Sequence, residues 1–144
     1  MQPQNYKNHS RFVPLYHYVT YALLLAVIIG SVINLVHTCQ RGENIYSASL
    51  ICVLAFAATL ICFFARSFAL KAQDRAIRAE ENFRHFMVTG KQLDSRLKMA
   101  QIIALRFAGD DEFVALAKKA ADENMAAKEI KLAVNNWRGD YNRV

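Results

Sequence analysis

Charge is missing from two long stretches of this 144-residue sequence. Residues 12–40 and 44–65 contain no Lys, Arg, Asp or Glu, whereas charged side chains are dense from Arg66 onward. A chain divided in this way does not read as one globular core. It reads as an apolar anchor followed by a water-exposed region. Cysteine is scarce as well. Cys39, Cys52 and Cys62 supply no disulfide framework, and only Cys39 is positioned to face an oxidising compartment and bridge two protomers. Catalytic signatures are also absent: there is no Gly-rich phosphate loop, no Ser or Cys nucleophile pattern and no carboxylate pair at an apolar site. The four histidines, His9, His17, His37 and His85, are scattered without metal-ligand spacing. His37 and Cys39 share one end of an apolar stretch but lack a third ligand. The chain therefore reads as non-enzymatic, with no cofactor and no metal.

What is present are two apolar runs, 15–37 and 46–66, each at or above the roughly 20 residues that a helix needs to cross about 30 Å of hydrocarbon. The first carries ten Leu, Ile and Val residues between Leu23 and Val36. Together they favour insertion by about 3 to 6 kcal/mol, which outweighs Asn34 near the far interface. This run is too long for a signal peptide, and no A-x-A-like cleavage site follows it. "VHTC" lacks the small residue that precedes a lipidated cysteine. Basic residues then set the orientation. Lys7 and Arg11 precede the first run, and Arg66, Lys71, Arg75, Arg78 and Arg84 follow the second, against Arg41 alone in the connecting turn 38–45. This bias places both ends in the cytoplasm. Tyr16, Tyr18, Tyr21, Phe63, Phe64 and Phe68 would gather at the inner interface, with Tyr46 at the outer one. Segment 1–14 then reads as an interfacial anchor, with docking on the C-terminal region as the lesser alternative.

Small residues recur on both runs. Ala22, Ala26, Gly30 and Asn34 form a four-residue stripe on the first; Ala48, Cys52, Ala55, Thr59 and Cys62 form a seam on the second. Such patterns let helix backbones approach closely in lipid. Either the two seams pack on each other within a hairpin, or one faces a second protomer or another membrane protein. No ionisable residue lies mid-span, which argues against a proton or ion path along the helices.

Nothing from 65 to 88 breaks a helix, so the second run is expected to continue through 67–88. Phe68, Ala72, Ala76, Ala79, Phe83 and Phe86 make a narrow, alanine-rich stripe suited to a partner helix. Asp74 with Arg78, and Glu80 with Arg84, stand at i,i+4 in the acid-first order. Lys7, Arg11, Arg66, Lys71, Arg75 and Arg78 are assigned to topology and to anionic lipid headgroups. Residues 89–144 read as a small helical module. "VTGKQLD" is a turn, and Asp94 or Ser95 caps a helix to about Ala108. Gly109 and Asp110 separate it from another that ends near Asp122, and a last helix covers about 127–138 with Ile130, Val134 and Trp137 on one face. Asp110, Asp111 and Glu112 are accounted for by helix capping.

Two short helices joined by "DENMA" have the outline of a helix-turn-helix, and the chain is basic, at +6. Yet residues 70–144 carry 14 basic against 11 acidic side chains. Their excess of +3 is small, so nucleic-acid binding is the weaker reading. "RGD" at 138–140 falls on the cytoplasmic side and is not read as an adhesion motif.

Three stretches, "QNYKNHSRFVPLYH" (4–17), "LDSRLKMAQIIALRFAGDDEFVALAKKA" (93–120) and "KEIKLAVNNWRGDYNRV" (128–144), resemble a family of small bacterial membrane proteins known as a domain of unknown function, found mainly in Bacteroidetes. "ALRFAGDDEF" is the most specific element. The resemblance implies two spans in a bacterial inner membrane and carries over no site residues. Family members often have Ser or Thr where Ala126 stands, a better helix cap. The expectation is thus an all-α membrane protein: a two-helix hairpin, a long juxtamembrane helix continuous with the second span, and a cytoplasmic helical module. Its function is expected to be that of an accessory or scaffolding subunit, working through helix–helix contacts with itself or a membrane partner.

Overall fold

A computed structural model describes residues 4–9 and 12–141. Arg11, assigned above to headgroup contact, lies outside the described residues. The protein is all-helical. A π-helical segment, Leu15–Thr20, leads into α1, Tyr21–Arg41; then come α2, Ile45–Thr89, α3, Met99–Leu105, α4, Asp110–Asp122, and α5, Ala127–Ala133. The chain divides into two units, Phe12–Phe68 and the combination of Met1–Arg11 with Ala69–Val144.

In Phe12–Phe68, α1 and the first half of α2 are long and apolar enough to cross a membrane, and they pack together. Gly42 ends α1 four residues beyond the expected limit. Its φ of +73° lets its N–H reach the Thr38 carbonyl at 2.9 Å, a left-handed cap that suits glycine. Asn44, at φ +56°, completes the reversal before α2 begins. On α2 the small-residue seam faces inward, with Ala48 and Ala55 buried and Cys52, Thr59 and Cys62 half-buried. On α1 the inward face is a different one: Ser31 is buried, and Leu24, Ile28, Leu35 and Thr38 are half-buried. Ala22, Ala26, Gly30 and Asn34 are exposed. The inward face of α1 is thus made mainly of larger side chains, and its small-residue stripe does not face the seam of α2. Two hydroxyls are satisfied locally and a third reaches across the hairpin. Ser31 donates to the Ile28 carbonyl at 2.8 Å, Thr59 to Ala55 at 2.9 Å, and the Tyr16 hydroxyl to the Cys62 carbonyl at 3.0 Å.

The second unit builds its core where α3, α4 and α5 meet the distal part of α2. Ile77 from α2, Leu93 and Leu97 from the connecting loop, Ile102 and Leu105 from α3, Phe113 and Leu116 from α4, and Ile130 from α5 are buried together. Gly90 closes α2 at φ +69°, its N–H on the Phe86 carbonyl at 2.8 Å. The helix expected from Asp94 or Ser95 starts later, at Met99. Asp94 is otherwise engaged, because its carboxylate accepts from the Arg96 backbone N–H at 2.9 Å and from the Arg96 guanidinium at 2.6 Å, holding a turn. Gly109 rather than Asp110 stands at the N-cap of α4. The last helix ends at Ala133, earlier than expected, because Val134 turns extended and the chain pairs back on itself. Gly109 N–H donates to the Asn136 carbonyl at 2.9 Å and Arg138 N–H to the Phe107 carbonyl at 2.8 Å. Ala126 has no capping side chain, yet its N–H is accepted by the Glu129 carboxylate at 2.7 Å, so α5 starts at the expected place.

The described N-terminal residues belong to this unit. Gln4 donates to the Asp140 carbonyl at 3.0 Å and accepts from the Asp140 N–H at 2.9 Å, a reciprocal amide pair across 136 residues of sequence. His9 lies 5.6 Å edge-on to Phe107 and 5.8 Å from Trp137, and its Nε2 is 3.0 Å from the Lys131 ammonium. Within segment 1–14, expected chiefly to be an interfacial anchor, residues 4 and 9 are docked on the module.

Two outcomes are expected. Phe107 is fully buried against Trp137, with ring centroids 4.9 Å apart. Phe107→Ala should destabilise the full-length protein by about 3 to 5 kcal/mol in denaturant titration. The Arg96 guanidinium pulls the Asp94 carboxyl from 3.8 down to about 2. A lowered folded value means that this contribution to stability is present above the ordinary value and is lost as pH falls toward about 2. Carboxyl NMR titration should therefore place Asp94 near 2, and Arg96→Ala should return it toward 3.8.

Candidate functional site

The distal part of α2 has two faces of different chemistry. One is fastened to the module by charge. Glu81 is buried, and its carboxylate accepts from Arg84 at 3.1 Å, with Arg138 4.0 Å away. Arg84 does more than pair with Glu81. Its Nε donates to Asp110 Oδ1 at 2.7 Å, its second terminal nitrogen donates to the Ala108 carbonyl at 2.8 Å, and its guanidinium lies 4.1 Å over the Phe113 ring. One planar cation thus joins α2 to the start of α4, using the fork geometry that lysine lacks. His85, one position on, directs Nδ1 at the Lys91 carbonyl at 2.7 Å and sets its ring edge-on to Phe113. Burial raises the Glu81 carboxyl above its ordinary value, and the Arg84 hydrogen bond opposes that rise without cancelling it.

A second pair of charges supports this joint. Arg106 is buried, stacked 4.7 Å from the Phe107 ring centroid, with a terminal nitrogen 3.0 Å from Asp140 Oδ2. Asp140 is the residue whose backbone holds Gln4. Glu112 fixes the returning strand by accepting from the backbone N–H groups of Asn135 at 3.1 Å and Asn136 at 2.9 Å. Partial burial alone would raise this carboxyl; the amide donors outweigh it and hold Glu112 below its ordinary value. The acidic trio at 110–112 therefore does more than cap α4. A cavity of about 350 Å³ lies beside the joint, lined among others by Glu80, Glu81, Arg106, Arg138 and Tyr141.

The opposite face of α2 is apolar and open. Ala72, Ala76 and Ala79 are exposed, and Phe83 and Phe86 are 65% and 51% exposed. At 3.6 residues per turn this stripe stands roughly opposite Ile77, Glu81 and Arg84. Docking the module on α2 therefore leaves it uncovered within the described chain. Phe68, in the other unit, is also exposed. The acid-first pairs expected along the helix do not form among the described residues: Arg84 turns to Glu81 and Asp110, and neither Glu80 nor Arg78 has an ion-pair partner. Helix-surface pairs are worth only about 0.2 to 0.5 kcal/mol, so the buried contacts prevail.

The basic residues assigned to headgroups are distributed as follows. Lys7, Lys71, Arg75 and Arg78 are exposed, and Arg66 is half-buried with its guanidinium 5.6 Å over the Tyr16 ring. Cys39 is exposed, and all three cysteines are free. Among the described residues no three His, Cys, Asp or Glu side chains are grouped to hold a metal ion. Sequence reasoning missed the Glu81–Arg84–Asp110 joint and the role of Asp140. Apart from the i,i+3 pair of Glu81 with Arg84, nothing local marks them, because the other partners are 24 to 136 residues apart. The adjacent acids Glu80 and Glu81 on one helix, only one of which can face solvent on the open side, were the available hint.

Along residues 1–144 the chain matches the family model described as Family of unknown function (DUF6526), and it belongs to that family. Comparison with curated proteins and with solved structures found no match.

Removing the cation from the joint should be costly. Arg84→Met leaves Glu81 buried without its nearest partner and is expected to destabilise the protein by about 3 kcal/mol, whereas Arg84→Met with Glu81→Leu should recover much of that loss. The pH dependence carries a sign. Glu81 sits above its ordinary value, so its contribution to stability is present at low pH and is lost as pH rises through the raised value. Arg84→Met should move that loss to still higher pH, read from unfolding midpoints across a pH series.

Proposed function

We propose that this protein is a non-catalytic scaffold of the bacterial inner membrane, anchored by its helical hairpin and binding other helices through the exposed face of α2. The observation that carries the reading is that face: alanines at helical spacing closing on two exposed phenylalanines, on a helix whose other side is committed to the module. Contiguous exposed apolar surface on such an element marks a contact.

Exposure supports the anchor. Only 6% of the most apolar stretch of the first helix and 11% of the second are buried, which separates them from core helices of a water-soluble fold. Leu23, Leu25, Val53, Leu54 and Ile61 all present more than half their surface outward. Water tolerates so large an apolar surface poorly; hydrocarbon accepts it. The docking of Gln4 and His9 on the module requires the segment before α1 and the module after α2 to share one side, as two crossings do. Basic-residue bias names that side as the cytoplasm, where Lys7, Arg11, Arg66, Lys71, Arg75 and Arg78 meet anionic headgroups at about 1 kcal/mol each.

The nucleic-acid alternative would draw on the basic residues on and after α5, and two of these are turned to partners within the unit. Lys131 is directed at His9, and Arg138 lies toward Glu81. A basic groove needs its cations turned outward.

Native mass spectrometry of gently extracted complexes, recovered through a C-terminal tag, is the direct check. A defined assembly should appear with the native chain and be lost with Ala72→Glu. Gly30→Leu tests whether the exposed stripe of α1 contributes a second contact within the bilayer. A lone monomer indifferent to both changes would count against a scaffold.

A further inference from the structure

We infer that the occupant of the open α2 face is a second copy of this chain, lying parallel and in register. The inference rests on the scaffold reading above and names its partner. In heptad terms Ala76 and Phe83 take a positions, and Ala72, Ala79 and Phe86 take d positions. Arg75 then falls at g, and Glu80 at the e position five residues on. In a parallel two-stranded coil each g side chain meets the following e of the partner, so the seam is flanked by two symmetry-related Arg75–Glu80 pairs. An antiparallel pairing sets g beside g and e beside e, which brings like charges together. An unrelated helix gives no reason for one strand to carry both complementary charges at this spacing.

The structure leaves these two groups available. Both are exposed, and neither has an ion-pair partner among the described residues, Arg84 having turned away from Glu80 to the module. The parallel orientation is also the one in which two identically inserted hairpins deliver their α2 helices. A seam of about two heptads is marginal for free helices. Anchoring both helices in one bilayer raises their effective concentration and removes much of that handicap. Arg75 then serves the partner, leaving Arg66, Lys71 and Arg78 to the lipid.

The test uses the full chain, with its three native cysteines replaced, in detergent and in native membranes. Ala79→Cys, at a d position, should form a disulfide-linked dimer under mild oxidation, whereas Arg78→Cys, off the seam, should not. On the Ala79→Cys background, Glu80→Arg should lower the dimer yield by about tenfold, because both flanking pairs become repulsive. Arg75→Glu combined with Glu80→Arg should restore it. Both charges are exposed, so circular dichroism should be unchanged in every variant. Failure of the swap to rescue, or equal crosslinking at 78 and 79, overturns the parallel dimer. An Ala79→Cys adduct to a different protein in native membranes also overturns it while keeping the scaffold. No adduct in either setting overturns both.

Discussion

The guanidinium of Arg84 determines what the rest of the molecule can present. It is satisfied by three acceptors on two elements, Glu81 one turn back on α2 and Asp110 with the Ala108 carbonyl at the head of α4. Once it is seated, it favours this rotation of α2 relative to the module, because a planar fork bonds best to acceptors placed to match its geometry. Burying Glu81 is unfavourable taken alone, as the upward displacement of its carboxyl indicates. The two charges are tolerated together, and they specify an orientation more than they add stability. The alanine–phenylalanine stripe is open because of that choice of face.

The hairpin obeys a different constraint. With no charge to fix rotation, its faces are sorted by shape. Ala48 and Ala55 are the buried positions of α2, and Leu24, Ile28 and Leu35 are among the half-buried positions of α1, while Ser31 and Thr59 return their hydroxyls to their own backbones. In the proposed bilayer setting this would be packing without a hydrophobic drive, in which close approach is decided by side-chain size. The α1 stripe at Ala22, Ala26, Gly30 and Asn34 is not used inside the hairpin, so its regular spacing has no role within this unit.

Much of the architecture was legible from the sequence because it rests on local signals. The uncharged runs, the turn glycines at 42 and 90, and the unbroken stretch from 65 to 88 each act through nearby backbone, and α1 and α2 followed from them. Cap chemistry was read less well. Asp94 carries the right side chain for an N-cap but has Arg96 two residues on, and a charge-assisted hydrogen bond there holds a turn in place of a helix start. The early end of α5 was hidden for another reason. Val134 and Trp137 keep the helical spacing, but the backbone of 136–138 is claimed by Phe107 and Gly109, and a pairing across that distance leaves no periodic trace. The open stripe of the candidate site was visible from spacing alone, whereas the joint that exposes it depends on residues brought together only by the fold.

The reciprocal amide pair between Gln4 and Asp140 has a consequence for biogenesis. Its two halves are separated by 136 residues, with both apolar helices between them. The first half emerges from the ribosome long before the second exists, so the contact closes only after the intervening helices have been made. In the proposed topology a chain in which one helix failed to insert would leave Gln4 and Asp140 on opposite sides of the bilayer. The clasp would then register correct insertion, closing only on molecules whose two helices have both crossed.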